Sequence, residues 1–271
     1  MYESFYRFRE KPFHVTADPT FLYLSHHHQE ALNHLTYGIR ERLGFLMITG
    51  EVGTGKTTLA KTLIEKLPSS VKTALILHPT LNSTQLLRAV LKDFGLPPTG
   101  ASRAHLLQAI ETFLLAQAAS ASDAVLVVDE AQALSPSALE QIRLLSNIET
   151  PKRKLLQIVL IGQPELDERL NRDPRLRALH QRIAVRYRIP PLAEEEVASY
   201  IEHRIQIAGE KGVPSFTRAA ISRIAEISQG IPRRINRICD QALLAGFVRD
   251  SLTIDESMVE QALPALTPTL V

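Results

Sequence analysis

The chain has 271 residues, 45% of them hydrophobic, with 31 basic and 29 acidic side chains giving a net charge of +2. That length points to one large domain or a large one with a small one, and the composition to a globular chain able to bury a substantial core. The charge balance excludes a global drive toward nucleic acid or anionic membrane, and the single Cys239 excludes an intrachain disulfide, as expected for a reducing compartment.

Along the chain, the first stretch is dense in aromatics and prolines: Phe5, Tyr6, Phe8, Pro12, Phe13, Pro19, Phe21 and Tyr23. So many rings are poorly accommodated in water, which predicts an ordered extension over residues 1–27. Met1-Tyr2-Glu3-Ser4-Phe5 has no basic segment leading into an apolar run, so a signal peptide is not expected. No apolar run reaches the length of a membrane span, which predicts a cytoplasmic protein. His26-His27-His28 read as a surface helix start rather than a metal site.

A helix over residues 28–42 leads to a short apolar strand, Phe45-Leu46-Met47-Ile48-Thr49, ending at Gly50. A helix over 56–67, a strand over 73–77 and a helix from Asn82 or Ser83 to about 94 follow, the last stopped by Gly95 and Pro97. Next come a helix over 102–119, a strand over 124–128, a helix over 135–147, and strands over 155–161 and 182–189. Short all-apolar strands alternating with helices predict an α/β fold: a five-stranded parallel sheet flanked by helices on both faces. Pro190-Pro191 ends that pattern. No strand-like run stands out beyond it. Helices are expected over 194–208, 217–228, 232–248 and 255–263, forming an all-helical subdomain. The expected division is thus an extension (1–27), a nucleotide-binding domain (28–190), a helical lid (191–265) and a short tail (266–271).

Gly50-Glu51-Val52-Gly53-Thr54-Gly55-Lys56-Thr57 matches the P-loop pattern in full, between a predicted strand and a predicted helix. Glycines let the backbone turn its N–H groups inward onto phosphate oxygens, and the following helix N-terminus adds a field that favours an anion. Lys56 can reach the β- and γ-phosphates, the Thr57 hydroxyl can ligate Mg²⁺, and Thr58 completes the loop. Val125-Leu126-Val127-Val128-Asp129-Glu130 delivers two carboxylates to the end of a buried strand, the edge of an α/β sheet where ligands bind. Asp129 is suited to hold Mg²⁺ with Thr57, and Glu130 to activate the attacking water. The expected ligands are therefore ATP and Mg²⁺, and the expected activity is ATP hydrolysis.

On these residues the sequence resembles the AAA+ superfamily over nearly the whole chain. The resemblance implies three further site residues. Gln163 follows the strand Ile158-Val159-Leu160-Ile161-Gly162, where AAA+ proteins carry the polar "sensor 1" residue. Arg233, in Gly230-Ile231-Pro232-Arg233, corresponds to "sensor 2", which opens a lid helix and reaches the γ-phosphate. Arg182, after Gln181, stands where these ATPases place the arginine finger that completes a neighbouring subunit's site, with Arg177 the second choice. A homo-oligomer is therefore implied.

The N-terminal string is more particular. Tyr2-x-x-Phe5-Tyr6-x-Phe8-Arg9-Glu10-Lys11-Pro12-Phe13, Ala17-Asp18-Pro19-x-Phe21-Leu22-Tyr23-Leu24-Ser25 and Asp129-Glu130-Ala131-Gln132 resemble the GspA/ExeA family of general secretion (type II) pathway ATPases. That resemblance implies support for assembly of an envelope-export machine and a membrane-anchored partner of the GspB/ExeB kind, which would hold the chain at the periphery of the inner membrane. Longer members follow the ATPase with a transmembrane helix and a peptidoglycan-binding region; these 271 residues carry neither.

A second resemblance is to transposition ATPases of the TnsC, TniB and MuB type, which share the AAA+ core and the Asp-Glu-Ala-Gln motif. It implies DNA as a partner, with the basic stretch 151–188 as a surface. The near-neutral charge, the lack of a DNA-reading motif and the secretion-type N-terminal string stand against it. A third reading, a switch that binds ATP without turnover, is countered by Glu130, a carboxylate that a pure binder does not need.

Overall fold

A computed structural model describes residues 1–77, 80–98, 102–151, 153–209 and 213–266. In chain order its elements are α1 (His26–Arg40), β1 (Phe45–Gly50), α2 (Lys56–Lys66), β2 (Lys72–Ile76), α3 (Ser83–Asp93), α4 (Arg103–Ala119), β3 (Ala124–Val128), α5 (Pro136–Leu145), β4 (Glu149–Thr150), β5 (Arg153–Lys154) and β6 (Leu156–Gly162). They continue with α6 (Pro164–Arg172), α7 (Arg177–His180), β7 (Ile183–Ile189), α8 (Glu194–Ala208), β8 (Ser215–Phe216), α9 (Arg218–Ser228), α10 (Pro232–Val248), β9 (Thr253–Ile254) and α11 (Glu256–Ala262). The chain folds as two compact units. One comprises His27–Gly50 and Leu59–Ile189; the other comprises Met1–His26, Glu51–Thr58 and Pro190–Val271.

The first unit is built on a five-stranded sheet in the order β2-β3-β6-β1-β7, with every pairing parallel. All residues of β1, β3 and β6 are buried, as continuous apolar runs require when both sheet faces are covered. The edge strands β2 and β7 alternate, with exposed Lys72, Ala184, Arg186 and Arg188 between more buried positions. One face carries a core in which Phe45, Met47, Leu126, Val128, Ile158 and Leu160 meet Leu86, Leu87 and Val90 of α3, Ile110 and Leu114 of α4 and Leu139 and Ile142 of α5. On the other face α1 approaches β1 so closely that a Cβ on Gly38 would lie 2.4 Å from the Leu46 side chain.

Helix starts in this unit follow their capping residues. Asn82 accepts from Thr84 and Gln85 N–H groups while Gln85 reaches back to the Asn82 amide, and Ser102 and Ser135 cap α4 and α5. β2 begins one residue before the expected 73–77 and β7 one residue after the expected 182. α1 begins at His26 rather than His28, so the histidine run lies inside the helix, with His28 buried. The antiparallel pair β4–β5 and helices α6 and α7 were not foreseen.

In the second unit, α8, α9, α10 and α11 enclose a core that includes Val197, Ile201, Ile224, Ile235, Ile238, Cys239, Leu243 and Val259. The N-terminal aromatics belong to this core: Tyr6 is 0% exposed, Phe13 1%, Phe21 2% and Tyr2 3%. Burial of each such ring is worth roughly 1.5–3 kcal/mol, so the N-terminal residues are an integral part of the helical unit. Their polar atoms are satisfied as well. The Tyr6 hydroxyl bonds the Leu243 carbonyl at 3.0 Å, Tyr2 donates to Asp240, and Arg9 N–H donates to the Ala208 carbonyl at 2.7 Å.

Arg204 fastens the same segment. The residue is 6% exposed; its guanidinium donates to the carbonyls of Pro12 (2.6 Å) and His14 (3.0 Å) and lies 4.6 Å from the centroid of the Phe21 ring. Sequence shows no strand-like run beyond Pro190, yet β8 and β9 form a two-residue parallel pair here.

Candidate functional site

The sheet sets one group of site residues. β3 hands its C-terminal end to Asp129, which is 1% exposed and takes the Ile76 carbonyl through its amide at 2.8 Å. Its Oδ1 accepts the Glu130 amide at 2.9 Å. Glu130 sits at φ 51°, ψ 37°, a left-handed backbone that costs a non-glycine residue about 1–3 kcal/mol and persists only where surroundings enforce it. A 3-10 turn, Ala131–Ala133, follows at once. β6 ends beside β3 and delivers Gln163, whose Nε2 donates to the Glu130 carboxylate at 3.2 Å. Asp129, Glu130 and Gln163 are thus gathered at one sheet edge, and the first and last of them come from neighbouring strands.

β1, on the other side of β6, ends at Gly50, where the glycine loop begins. Gly53 (φ 88°) and Gly55 (φ 91°) adopt the left-handed backbone the loop needs. The Glu51 carbonyl collects the Thr54 hydroxyl (2.8 Å), the Thr54 amide (3.3 Å) and the Lys56 ammonium (2.8 Å). Lys56 is 5% exposed and is therefore folded over its own loop, at the first turn of α2, with Thr57 next to it. A concave loop of amides opening a helix, with a buried cation and a hydroxyl at its mouth, suits a phosphate chain and its divalent counter-ion.

The loop belongs to the helical unit by its contacts. The Arg233 amide, in the first turn of α10, donates to the Gly53 carbonyl at 3.2 Å. The Leu192 amide donates to the Gly230 carbonyl at 2.9 Å, and a Cβ on Gly230 (φ 69°) would lie 2.0 Å from the Leu192 carbonyl oxygen. Only glycine fits there, so the Gly230-Ile231-Pro232-Arg233 turn is fixed, and Pro232 at the helix start presets α10. The Arg233 side chain is exposed.

Among the arginines of the sheet unit, Arg182 donates to Ser146 Oγ at 3.0 Å and to Asn147, at the C-terminal end of α5. Arg169 bonds the carbonyls of Gln132 (3.0 Å) and Leu134 (2.6 Å), and Arg186 pairs with Asp167 at 2.7 Å. Arg177 is exposed at the start of α7 and, among the described residues, its side chain has no hydrogen-bond or ion-pair partner. Sequence reasoning gave Gln132 no role in the site. It bridges Glu130 and Gln163, and only its place two residues after Glu130 hinted at that.

Comparison with known proteins agrees with this geometry. Residues 39–170 match a family model described as "AAA domain". The chain is 47% identical over 252 residues to "General secretion pathway protein A" of Aeromonas hydrophila, a match covering 93% of this chain and 46% of that protein. The chain thus spans about half the length of that relative. Among solved structures, the ORC2 protein of Aeropyrum pernix (ADPNP-ADP complexes) aligns with a TM-score of 0.74 at 16% identity, over 97% of this chain and 73% of that one. CDC6P from Pyrobaculum aerophilum aligns with 0.72 at 20% identity, over 97% and 70%. The Thermotoga maritima RuvB branch migration motor aligns with 0.59 at 17%, over 89% and 70%.

The sheet order, the loop after β1 and the acid pair after β3 define a P-loop nucleotide-binding protein of the AAA+ class. Within that class the chain is similar, over 93% of its own length, to General secretion pathway protein A. Among the described residues no helix is long and apolar enough to cross a membrane.

Proposed function

We propose that the chain binds ATP with Mg²⁺ and hydrolyses it, as the motor or switch of an envelope-export assembly of the general secretion type. The observation that carries the nucleotide reading is the glycine loop. Gly53 and Gly55 are in left-handed backbone, and Lys56 is held at 2.8 Å from the loop's own Glu51 carbonyl. A buried ammonium resting on a neutral carbonyl gains stronger, charge-assisted hydrogen bonds when phosphate oxygens take that carbonyl's place.

In this reading Lys56 leaves Glu51 to meet the β- and γ-phosphates, and the loop amides from Gly50 to Thr58 cradle them. Thr57 and Asp129 hold Mg²⁺, which neutralises phosphate charge when bound. The fit is chemical: Asp129 is a nearly buried carboxylate at a strand end, and Thr57 is a hydroxyl at a helix N-terminus. Glu130 takes the proton of the attacking water, and Gln163 orients that water. Arg233 reports the γ-phosphate to the helical unit, and we read residues 191–265 as the lid and 28–190 as the nucleotide-binding domain.

Completion of the site by a neighbouring copy falls to Arg182 or Arg177. Among the described residues the Arg177 side chain has no bond to give up, whereas Arg182 must first release Ser146 and Asn147. Hydrolysis in trans makes the active form a homo-oligomer. The secretion role rests on 47% identity over 93% of the chain, and it implies a membrane-anchored partner that recruits the protein to the inner membrane.

The test is equilibrium binding of a fluorescent ATP analogue with Mg²⁺ to the wild type and to Lys56→Ala. Saturable binding lost in the variant supports the reading; equal binding by both would remove the loop from it. Secretin multimers counted in cells lacking the chain, then supplied with it, test the export role. Stimulation of turnover by DNA that fades with salt would move the assignment to a transposition-type ATPase.

A further inference from the structure

Gln132 occupies a position that the motifs do not explain. Its side-chain amide spans the ends of two adjacent strands. Nε2 donates to the Glu130 Oε2, at the end of β3, and Oε1 accepts the Gln163 backbone amide at 3.1 Å, at the end of β6. The amide's orientation is dictated by chemistry, since a carboxylate needs a donor and a backbone N–H needs an acceptor. Gln163 Nε2 reaches the same Glu130 Oε2 at 3.2 Å, which closes a three-residue ring and leaves Oε1 of Glu130 outside it.

Two further features hold Gln132 in place. Arg169 donates from one nitrogen to the Gln132 carbonyl (3.0 Å) and the Leu134 carbonyl (2.6 Å), pinning the backbone of the 3-10 turn. Gly162 leaves the room: a Cβ there would lie 2.8 Å from Gln132 Oε1. An alanine would have to displace that amide oxygen as well as the Leu166 side chain, 2.9 Å away, so glycine at the end of β6 makes room for both.

We propose that Gln132 is the positioning residue for water activation, setting the distance and angle between Glu130 and Gln163. This rests on the reading of Glu130 as the general base. Glu130 stands on a strained left-handed backbone, and without Gln132 its carboxylate would keep only the longer bond from Gln163 Nε2; the second donor on the same oxygen fixes it, so the other oxygen presents a single direction to water. Gln132 touches neither nucleotide nor water and acts only through the other two.

The experiment compares Gln132→Met, Gln132→Glu and Gly162→Ala with wild type and Glu130→Gln, measuring steady-state hydrolysis and binding of a non-hydrolysable ATP analogue. Met keeps the length and loses both hydrogen bonds; Glu keeps the acceptor for Gln163 and faces Glu130 with a like charge. Both should lower kcat at least about tenfold with KM and analogue affinity within about twofold of wild type, the pattern of a lost transition-state interaction. Gly162→Ala should reproduce this with Gln132 intact, by pushing its amide aside. Loss of analogue binding together with kcat in both Gln132 variants, or wild-type kcat in Gln132→Met, overturns the positioning role. Wild-type kcat in Glu130→Gln instead sinks the underlying reading of Glu130, whatever the Gln132 variants do.

Discussion

The amide of Arg233 donates to the carbonyl of Gly53 at 3.2 Å, so the fourth glycine-loop residue and the first turn of α10 share a backbone hydrogen bond. The approach is close: a Cβ on Gly53 would lie 2.6 Å from the Arg233 Cβ and 3.2 Å from Ile231 Cγ2. Gly53 therefore serves two demands, a φ of 88° and room for α10. Gly53→Ala should cost about 1–3 kcal/mol from backbone strain alone. The expected result is a lower thermal midpoint and weaker ATP-analogue binding; a variant with wild-type values of both would show that the loop and α10 tolerate separation.

Arg204 ties the N-terminal segment to α8. Removing the guanidinium takes its donor from the Pro12 carbonyl and leaves the His14 carbonyl with the longer bond from Asn236 Nδ2 (3.4 Å), a penalty of about 1–3 kcal/mol per buried group left unsatisfied. Arg204→Met, which keeps much of the stem's packing, should expose amides of residues 2–21 to hydrogen exchange before those of α9 and α10. Unchanged protection of that segment would contradict the anchoring role.

Burial, and then the nearby Arg204 charge, hold His14 and His203 below the ordinary histidine range. The folded state therefore keeps both rings neutral where the unfolded chain protonates them. Stability is full above the unfolded-state value near 6.5 and is lost as pH falls through it toward the depressed folded values. The thermal midpoint should drop between pH 7 and pH 5, and His14→Gln combined with His203→Gln should flatten that decline. An equally steep decline in the double variant would assign it to other groups.

The two arginine candidates separate by stability. Arg182→Ala loses bonds to Ser146 and Asn147 and should lower the thermal midpoint. Arg177→Ala breaks no side-chain bond among the described residues and should leave the midpoint unchanged while lowering the hydrolysis rate per subunit at high protein concentration by about 10³-fold, the scale of a lost arginine finger. Full turnover in Arg177→Ala returns the role to Arg182.

Most of the sheet was legible because its central strands are buried on both faces and read as unbroken apolar runs; Ala124–Val128 is the clearest case. The glycine loop and the acid pair were legible because their chemistry fixes residue types at fixed spacing. Bounds of the edge strands shifted by a residue, since β2 and β7 are half-exposed and carry polar residues to their ends. The pairs β4–β5 and β8–β9 are two residues long, too short for any periodic signal. Helix α6 is dominated by charged residues, with Leu166 and Leu170 alone turned inward, so its apolar stripe is thin. Cys239 and Tyr200 read as core residues, and both are buried. That the N-terminal rings pack among α8, α10 and their neighbours could not be read from their order, because aromatic content predicts burial and not the partner. The Gln132 bridge depends on β3 and β6 being adjacent, a tertiary fact that local sequence does not carry.

The most direct test of the central claim is phosphate release from ATP with Mg²⁺ by the full chain, measured against protein concentration for wild type and Glu130→Gln. The account predicts a wild-type rate per subunit that rises as copies assemble, and a Glu130→Gln variant that binds ATP yet turns it over at least about a hundredfold more slowly. Equal rates for the two proteins, or no wild-type hydrolysis at any concentration, would contradict it.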